Sequence, residues 1–196
     1  MAFFLKLDAE IFRFINRGLA SAGLDALMLL LSSPRFWGAL ALLALLVGVF
    51  FHGWRVLLYC LPVLLAVGIS DEVAFQILKP TFARKRPCYE YTDVRLVQDG
   101  CGSEFGFPSN HAANAMAAAV VTGLTARRRR LGLVLMSIAT AVGFSRIYLG
   151  VHFPGDVLAG FVLGGLVGAL VYSTWQLSAR SLSFRLGLRN RKKFST

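Results

Sequence analysis

The chain has 196 residues, 56% of them apolar, and a mean hydropathy of +0.63, which excludes an ordinary soluble domain of mixed character and points to one membrane domain over residues 1–196. Its formal net charge of +11 would suit a nucleic-acid partner in a soluble protein, but the basic residues lie between and beyond apolar runs, where membrane topology accounts for them. No basic stripe is interleaved with aromatics as single-strand binding requires, so the expected partners are the lipid bilayer and a membrane lipid, with no nucleic acid.

The N-terminal stretch MAFFLKLDAEIFRFINRG carries acids early and lacks the basic n-region, clean apolar core and small-residue cleavage site of a removable signal peptide. Apolar residues at 3, 4, 7, 11, 14, 15 and 19 recur at helical spacing, with Lys6, Asp8, Glu10, Arg13 and Arg17 on other faces. That pattern predicts a helix lying in the membrane interface. A short apolar run, 24–31, ends at Ser32-Ser33-Pro34. It either completes a tilted first span or dips into the membrane, so residues 1–34 form an N-terminal segment apart from the clearer spans.

Those spans follow in order: 36–51, a turn at His52-Gly53-Trp54-Arg55, then 56–78 interrupted by Asp71-Glu72, then 111–126, 131–144 and 157–179. The last has no charged residue. The fold class is therefore all-α, a polytopic membrane helix bundle of about five or six transmembrane helices behind an N-terminal amphipathic helix. Several runs fall short of the ~20 residues a bilayer core demands, so polar residues at their ends must count towards the span and the site should lie near one membrane surface. Gly160, Gly164 and Gly168, with Gly165 beside them, permit close helix packing. Ionisable groups inside an apolar run are costly, so Asp71 and Glu72 either pair with site arginines or face another buried base or a surface crevice.

On this layout the loops 79–107 and 146–155 share one side. The turn at 52–55, the run Arg127-Arg128-Arg129-Arg130 and a basic tail at 180–196 share the other. The positive-inside tendency makes the Arg run and tail cytoplasmic, which puts the two loops on the extracytoplasmic face of a cell inner membrane. The 79–107 loop is itself basic, and its charges are read as recruited for chemistry. Cys88 and Cys101 in that loop would then meet an oxidising compartment, where a disulfide is expected to contribute ~3 kcal/mol.

Three clusters carry the chemistry: KPTFARKRP from Lys79, FPSNHAANA around Ser109-Asn110-His111, and SRIYLGVHFPGD from Ser145 to Asp156. Lys79, Arg86 and Arg146 supply permanent positive charge, and Arg offers forked donors to phosphate oxygens. Ser109, after Pro108 and before an apolar helix, suits an N-cap that leaves backbone N–H groups near Asn110 and His111 open to an anion. Asp156 lies one helical turn from His152, where its carboxylate can orient the imidazole and raise its basicity for attack on phosphorus. His111 remains to donate a proton to the leaving oxygen. His152 and Asp156 could also be two metal ligands, but no further carboxylate or histidine cluster accompanies them, so no metal and no cofactor is expected.

In order and spacing, these clusters resemble the signature of the type 2 phosphatidic acid phosphatase superfamily, Lys-x6-Arg-Pro, Pro-Ser-Gly-His and Ser-Arg-x5-His-x3-Asp. The resemblance covers catalytic motifs at 79–156. It implies a metal-independent lipid phosphatase with a phosphohistidine intermediate, carrying the nucleophile onto His152, its orienter onto Asp156 and the acid onto His111. Phosphate binding carries over to Lys79, Arg86, Ser109 and Arg146. Asn110 stands where the pattern most often has Gly and would still offer its backbone N–H. The family's membrane branch suggests undecaprenyl diphosphate as substrate, with phosphatidylglycerol phosphate, phosphatidic acid and lipid A open. Phosphotransfer to a second lipid, or lipid-phosphate transport without chemistry, are the competing functions. Nothing in the pattern encodes an oligomeric state.

Overall fold

The computed structural model of the protein describes residues 2–185, and among them every regular element is a helix apart from one isolated bridge between Lys85 and Phe105. The basic tail expected at 180–196 lies, beyond Arg185, outside the described residues. Helix α1 (Ala2–Arg13) runs on into a π-helical turn, Phe14–Gly18, and α2 (Ala22–Ser32) leaves it at 118°. The N-terminal segment is thus a bent pair rather than a straight first span. Asn16 explains the bend: its buried amide donates to the carbonyls of Arg95 and Tyr148, both at 2.8 Å, and accepts from the Arg95 N–H at 3.0 Å, pulling the chain inward. Ser21 then restarts the helix by accepting the Leu24 N–H.

Helix α3 (Pro34–His52) has Pro in its first turn and ends at Gly53, whose φ of 69° a residue with a Cβ adopts only at a cost. The chain folds back there, bringing Gly48 against Val56, and α4 (Val56–Glu72) continues through a π-helical turn, Val73–Leu78, into the short α5 (Lys79–Phe82). After the small α6 (Pro87–Glu90) and a long loop come α7 (Asn110–Ala126), α8 (Arg129–Tyr148) and α9 (Pro154–Arg185). The expected disulfide is present, joining Cys88 to Cys101 across the loop with their Cα atoms 6.3 Å apart.

By length and composition three stretches can cross a bilayer, 34–82, 129–148 and 154–178, and the bent α1–α2 pair makes a fourth at most. The first holds both α3 and α4, so the expected five or six spans are reached only by counting those apart and adding α7. At 17 residues, α7 extends about 26 Å, less than the ~30 Å hydrocarbon core. Its alanines explain its place: Ala112, Ala113, Ala117 and Ala119 are buried, and α4, α8 and α9 wall the helix in.

The glycine stripe of α9 brings it against α7. A Cβ at Gly160 would stand 2.6 Å from the Ser109 carbonyl, and one at Gly168 would stand 3.0 Å from the Ala117 carbonyl. Gly164 is tighter still against Ala113, whereas Gly165 has nothing within 4 Å. Small residues thus replace a side-chain layer with backbone contact. We expect Gly164→Ala to destabilise the protein by about 1–3 kcal/mol, the range for overpacking, and Gly165→Ala to be neutral or slightly stabilising. Thermal unfolding of both variants in detergent checks this; equal midpoints would contradict the packing account.

Candidate active site

The motif residues meet at the end of the bundle where α5, α7, α8 and α9 start or stop. Lys79 opens α5 and turns its Nζ inward, donating to the carbonyls of Phe105 at 3.1 Å and Pro108 at 3.2 Å. Arg86, just before α6, donates from Nη2 to Ser103 Oγ at 3.3 Å and places Nη1 3.2 Å from His152 Nε2. Arg146, in the last turn of α8, donates to Ser32 Oγ and to Gln98 Oε1. The three are only 4%, 8% and 5% exposed, and among the described residues none has a carboxylate within ion-pair distance. Buried charge without a counter-ion is expensive, and an anion placed among the three cations would offset that cost.

Ser109 precedes α7 with its N–H on the Asp156 carbonyl at 2.9 Å. It is the N-cap residue, as expected, but its Oγ makes no side-chain cap and has no hydrogen-bond partner although it is buried. With no cap bond made, both the hydroxyl and the first N–H groups of α7 are left free for oxygen ligands.

Asn110 and His111 diverge from there. The Asn110 side chain faces α4 and donates to Asp71 Oδ1 at 2.9 Å, and Asn114 one turn on donates to the same oxygen at 2.7 Å. Asp71 is therefore paired with two amides of α7 rather than with a site arginine, and Glu72 next to it is exposed. His111 is half-buried and lines a cleft of about 760 Å³ between α3, α4, α7 and α8. Trp37, Ala41, Ala115 and Ile138 are among its walls, so the cleft is chiefly apolar with polar groups of α4 and α7 on its lining.

His152 sits in the link between α8 and α9, buried beside the turn at Gly150. A guanidinium can only donate, so the Arg86 contact makes Nε2 the acceptor and leaves the ring proton on Nδ1. Nδ1 lies 3.5 Å from Asp156 Oδ2, which also accepts the Phe153 N–H at 3.0 Å. Burial first, and then the positive charges of Arg86, Arg146 and Lys79, hold His152 well below the usual imidazole value, so the ring is neutral with its Nε2 lone pair towards the cations.

Two residues outside the motif positions stand behind Asp156, one of them among the loop charges read above as recruited for chemistry. Arg84, one of the unspecified positions between Lys79 and Arg86, donates from Nη1 to Asp156 Oδ1 at 2.9 Å and from Nη2 to Asp8 Oδ2 at 2.6 Å. Asp8 comes from α1. The sequence signal for Arg84 is the basic character of its loop, and for Asp8 an acid on a face of α1 that an interfacial helix does not need.

Residues 55–180 match the PAP2 superfamily. The chain is 30% identical over 175 residues to the lipid A 4'-phosphatase of Bacteroides thetaiotaomicron, covering 87% of this chain and 77% of that relative. It is also 30% identical to undecaprenyl-diphosphatase BcrC of Bacillus subtilis over 105 residues, 54% of this chain and 52% of that one. The fold superposes on the crystal structure of Aquifex aeolicus LpxE with a TM-score of 0.69 at 27% identity, covering 85% of this chain and 95% of the other.

If the three cations await an anion, inorganic phosphate should raise the thermal midpoint of the detergent-solubilised protein, since a ligand at a hundredfold its Kd contributes about 2.7 kcal/mol. Arg86→Gln should shrink the shift severalfold. An undiminished shift in that variant would place the anion elsewhere.

Proposed function

The chain belongs to the PAP2 superfamily, and on that premise we propose that it removes phosphate from a membrane lipid through a phosphohistidine formed on His152. The observation that carries this reading is the trio of buried cations, without carboxylate partners among the described residues, around a neutral imidazole and beside an apolar cleft. Phosphate oxygens take the guanidinium of Arg86 from Nε2 and share Lys79, Arg146, Ser109 Oγ and the free N–H groups of Asn110 and His111. With Arg86 drawn onto the phosphate, Nε2 attacks phosphorus as the bond to the lipid oxygen breaks. Asp156 faces the Nδ1–H and stabilises the positive ring that forms. His111 gives its proton to the departing oxygen, the bound phosphate's negative charge favouring that protonated form. A water then loses its proton to His111 and displaces His152 from phosphorus, releasing phosphate. No residue role here needs a metal.

Lipid A is the favoured substrate. The relative named for lipid A aligns along 87% of the chain, beyond the motifs and into the N-terminal helices, whereas BcrC aligns along 54%. Undecaprenyl diphosphate, the expectation from motifs alone, is the second reading and rests on that shorter alignment. The site is read as facing the extracytoplasmic side of the inner membrane. The Arg127–Arg130 run spans the α7–α8 link and the start of α8, at the opposite end of α7 from the motif, and the motif loop carries the disulfide.

Phosphate release by the purified protein should be faster from lipid A than from undecaprenyl diphosphate, phosphatidylglycerol phosphate or phosphatidic acid. All of these should exceed a short-chain soluble ester by at least about tenfold in kcat/KM, because only a lipid fills the cleft. Highest efficiency on undecaprenyl diphosphate would replace the first reading by the second, and equal efficiency on the soluble ester would contradict a lipid substrate. His111→Ala should slow loss of an alkoxide far more than loss of an activated aryl oxide, which leaves without a proton. Equal slowing of both would remove His111 from the proton transfer.

A further inference from the structure

The helix α1 presents two faces with different tasks. Phe4, Leu7, Ile11 and Phe14 form an exposed apolar stripe that fits the membrane interface. The other face reaches the nucleophile's surroundings, where Phe12 is buried edge-on against Phe153 with ring centroids 5.4 Å apart. Asp8 extends one turn earlier and accepts the Gly155 N–H on Oδ1 at 2.7 Å while holding Arg84 on Oδ2. The Arg84 guanidinium lies 4.4 Å over the Phe153 ring and ends on Asp156. A Cβ at Gly155 would stand 3.0 Å from Asp8 Oδ2 and 3.2 Å from Arg84 Nη1, so the first turn of α9 is shaped around this contact.

Arg84 differs from the other cations of the site. Each of its terminal nitrogens is engaged by a carboxylate, which turns the guanidinium towards Asp8 and Asp156. What it does is pair the charge of Asp156, which is fully buried and, among the described residues, has no other cation within ion-pair distance while the imidazole is neutral. By fixing Oδ1 it aims Oδ2 at His152 Nδ1. From these contacts we infer that Asp8 and Arg84 are positioning residues for the phosphatase reaction: Arg84 sets the carboxylate behind the nucleophile, and Asp8 anchors Arg84 to the interfacial helix. The geometry of His152 thereby depends on how α1 is seated on the membrane. The inference rests on the phosphohistidine reading above.

The test is rapid-quench measurement of labelled phosphohistidine formation, with KM and the thermal midpoint recorded for each variant. Arg84→Gln should slow formation by roughly tenfold to a hundredfold, as loss of an outer partner of a functional histidine does, with KM changed less than about twofold. Arg84→Lys should recover part of the rate. Asp8→Asn should slow it by a smaller factor, and D8N/R84Q should be no slower than R84Q, because both act through one contact. Arg17→Gln removes an exposed pair between the π-helical turn after α1 and Asp93 and should leave the rate unchanged. Wild-type rates in R84Q overturn the inference alone. A loss in R84Q that follows the thermal midpoint, raises KM and is not relieved by R84K also overturns it, by showing a merely structural contact. Absence of phosphohistidine in the wild type overturns the phosphatase reading and this inference with it.

Discussion

Lys79, Arg86 and Arg146 are held out of water at one end of a membrane helix bundle without an acidic partner among the described residues. Such charges are tolerated only when carbonyls and hydroxyls are aimed at them and an anion is the intended visitor. Much of the architecture serves that condition. The carbonyls of Phe105 and Pro108 hold Lys79, Ser103 holds Arg86, and Ser32 and Gln98 hold Arg146. The long loop that supplies several of these groups is closed by Cys88–Cys101, and the α1–α2 bend, tied to the same loop through Asn16, brings Ser32 within reach.

The acidic residues are distributed so that none cancels the cations. Asp71 is occupied by Asn110 and Asn114, Asp25 by Arg95 and Tyr148, and Asp156 by Arg84 and the Phe153 N–H, with the imidazole Nδ1 3.5 Å from it. Asp156 thus supports His152 from behind while its charge stays bound to Arg84. Asp71, tied to the first two turns of α7, steadies the helix that presents His111 instead of neutralising the pocket. Close packing of α7 on the glycine stripe of α9 then fixes Ser109 and His152 relative to one another, since the Ser109 carbonyl rests on Gly160 and its N–H on the Asp156 carbonyl.

The motif residues were legible in the sequence because the chemistry constrains both type and spacing. A histidine and an aspartate one turn apart at a helix start, with Lys, Arg and Ser at set intervals, leave little else to read. The helical class and the two-faced pattern of α1 were equally visible in the periodicity. Arg84 was legible only as one of the loop charges recruited for chemistry, and its pairing with Asp8 was not, because it spans 76 residues and Arg84 occupies a position the motif leaves open. The partner of Asp71 lay 39 residues away on α7, and a nearby arginine was the more obvious guess. The N-terminal bend depends on Asn16 finding Arg95 and Tyr148, contacts that no local pattern announces. The span count was blurred by α7, whose alanine-rich sequence is apolar enough for a membrane but is wrapped by protein.

The most direct measurement is to quench the wild-type protein during turnover of a labelled lipid phosphate and map the phosphorylated residue by peptide mass spectrometry under conditions that preserve phosphohistidine. The account predicts that the label sits on His152 alone. Label on His111, or phosphate release with no phosphohistidine on the reaction's timescale, would contradict it.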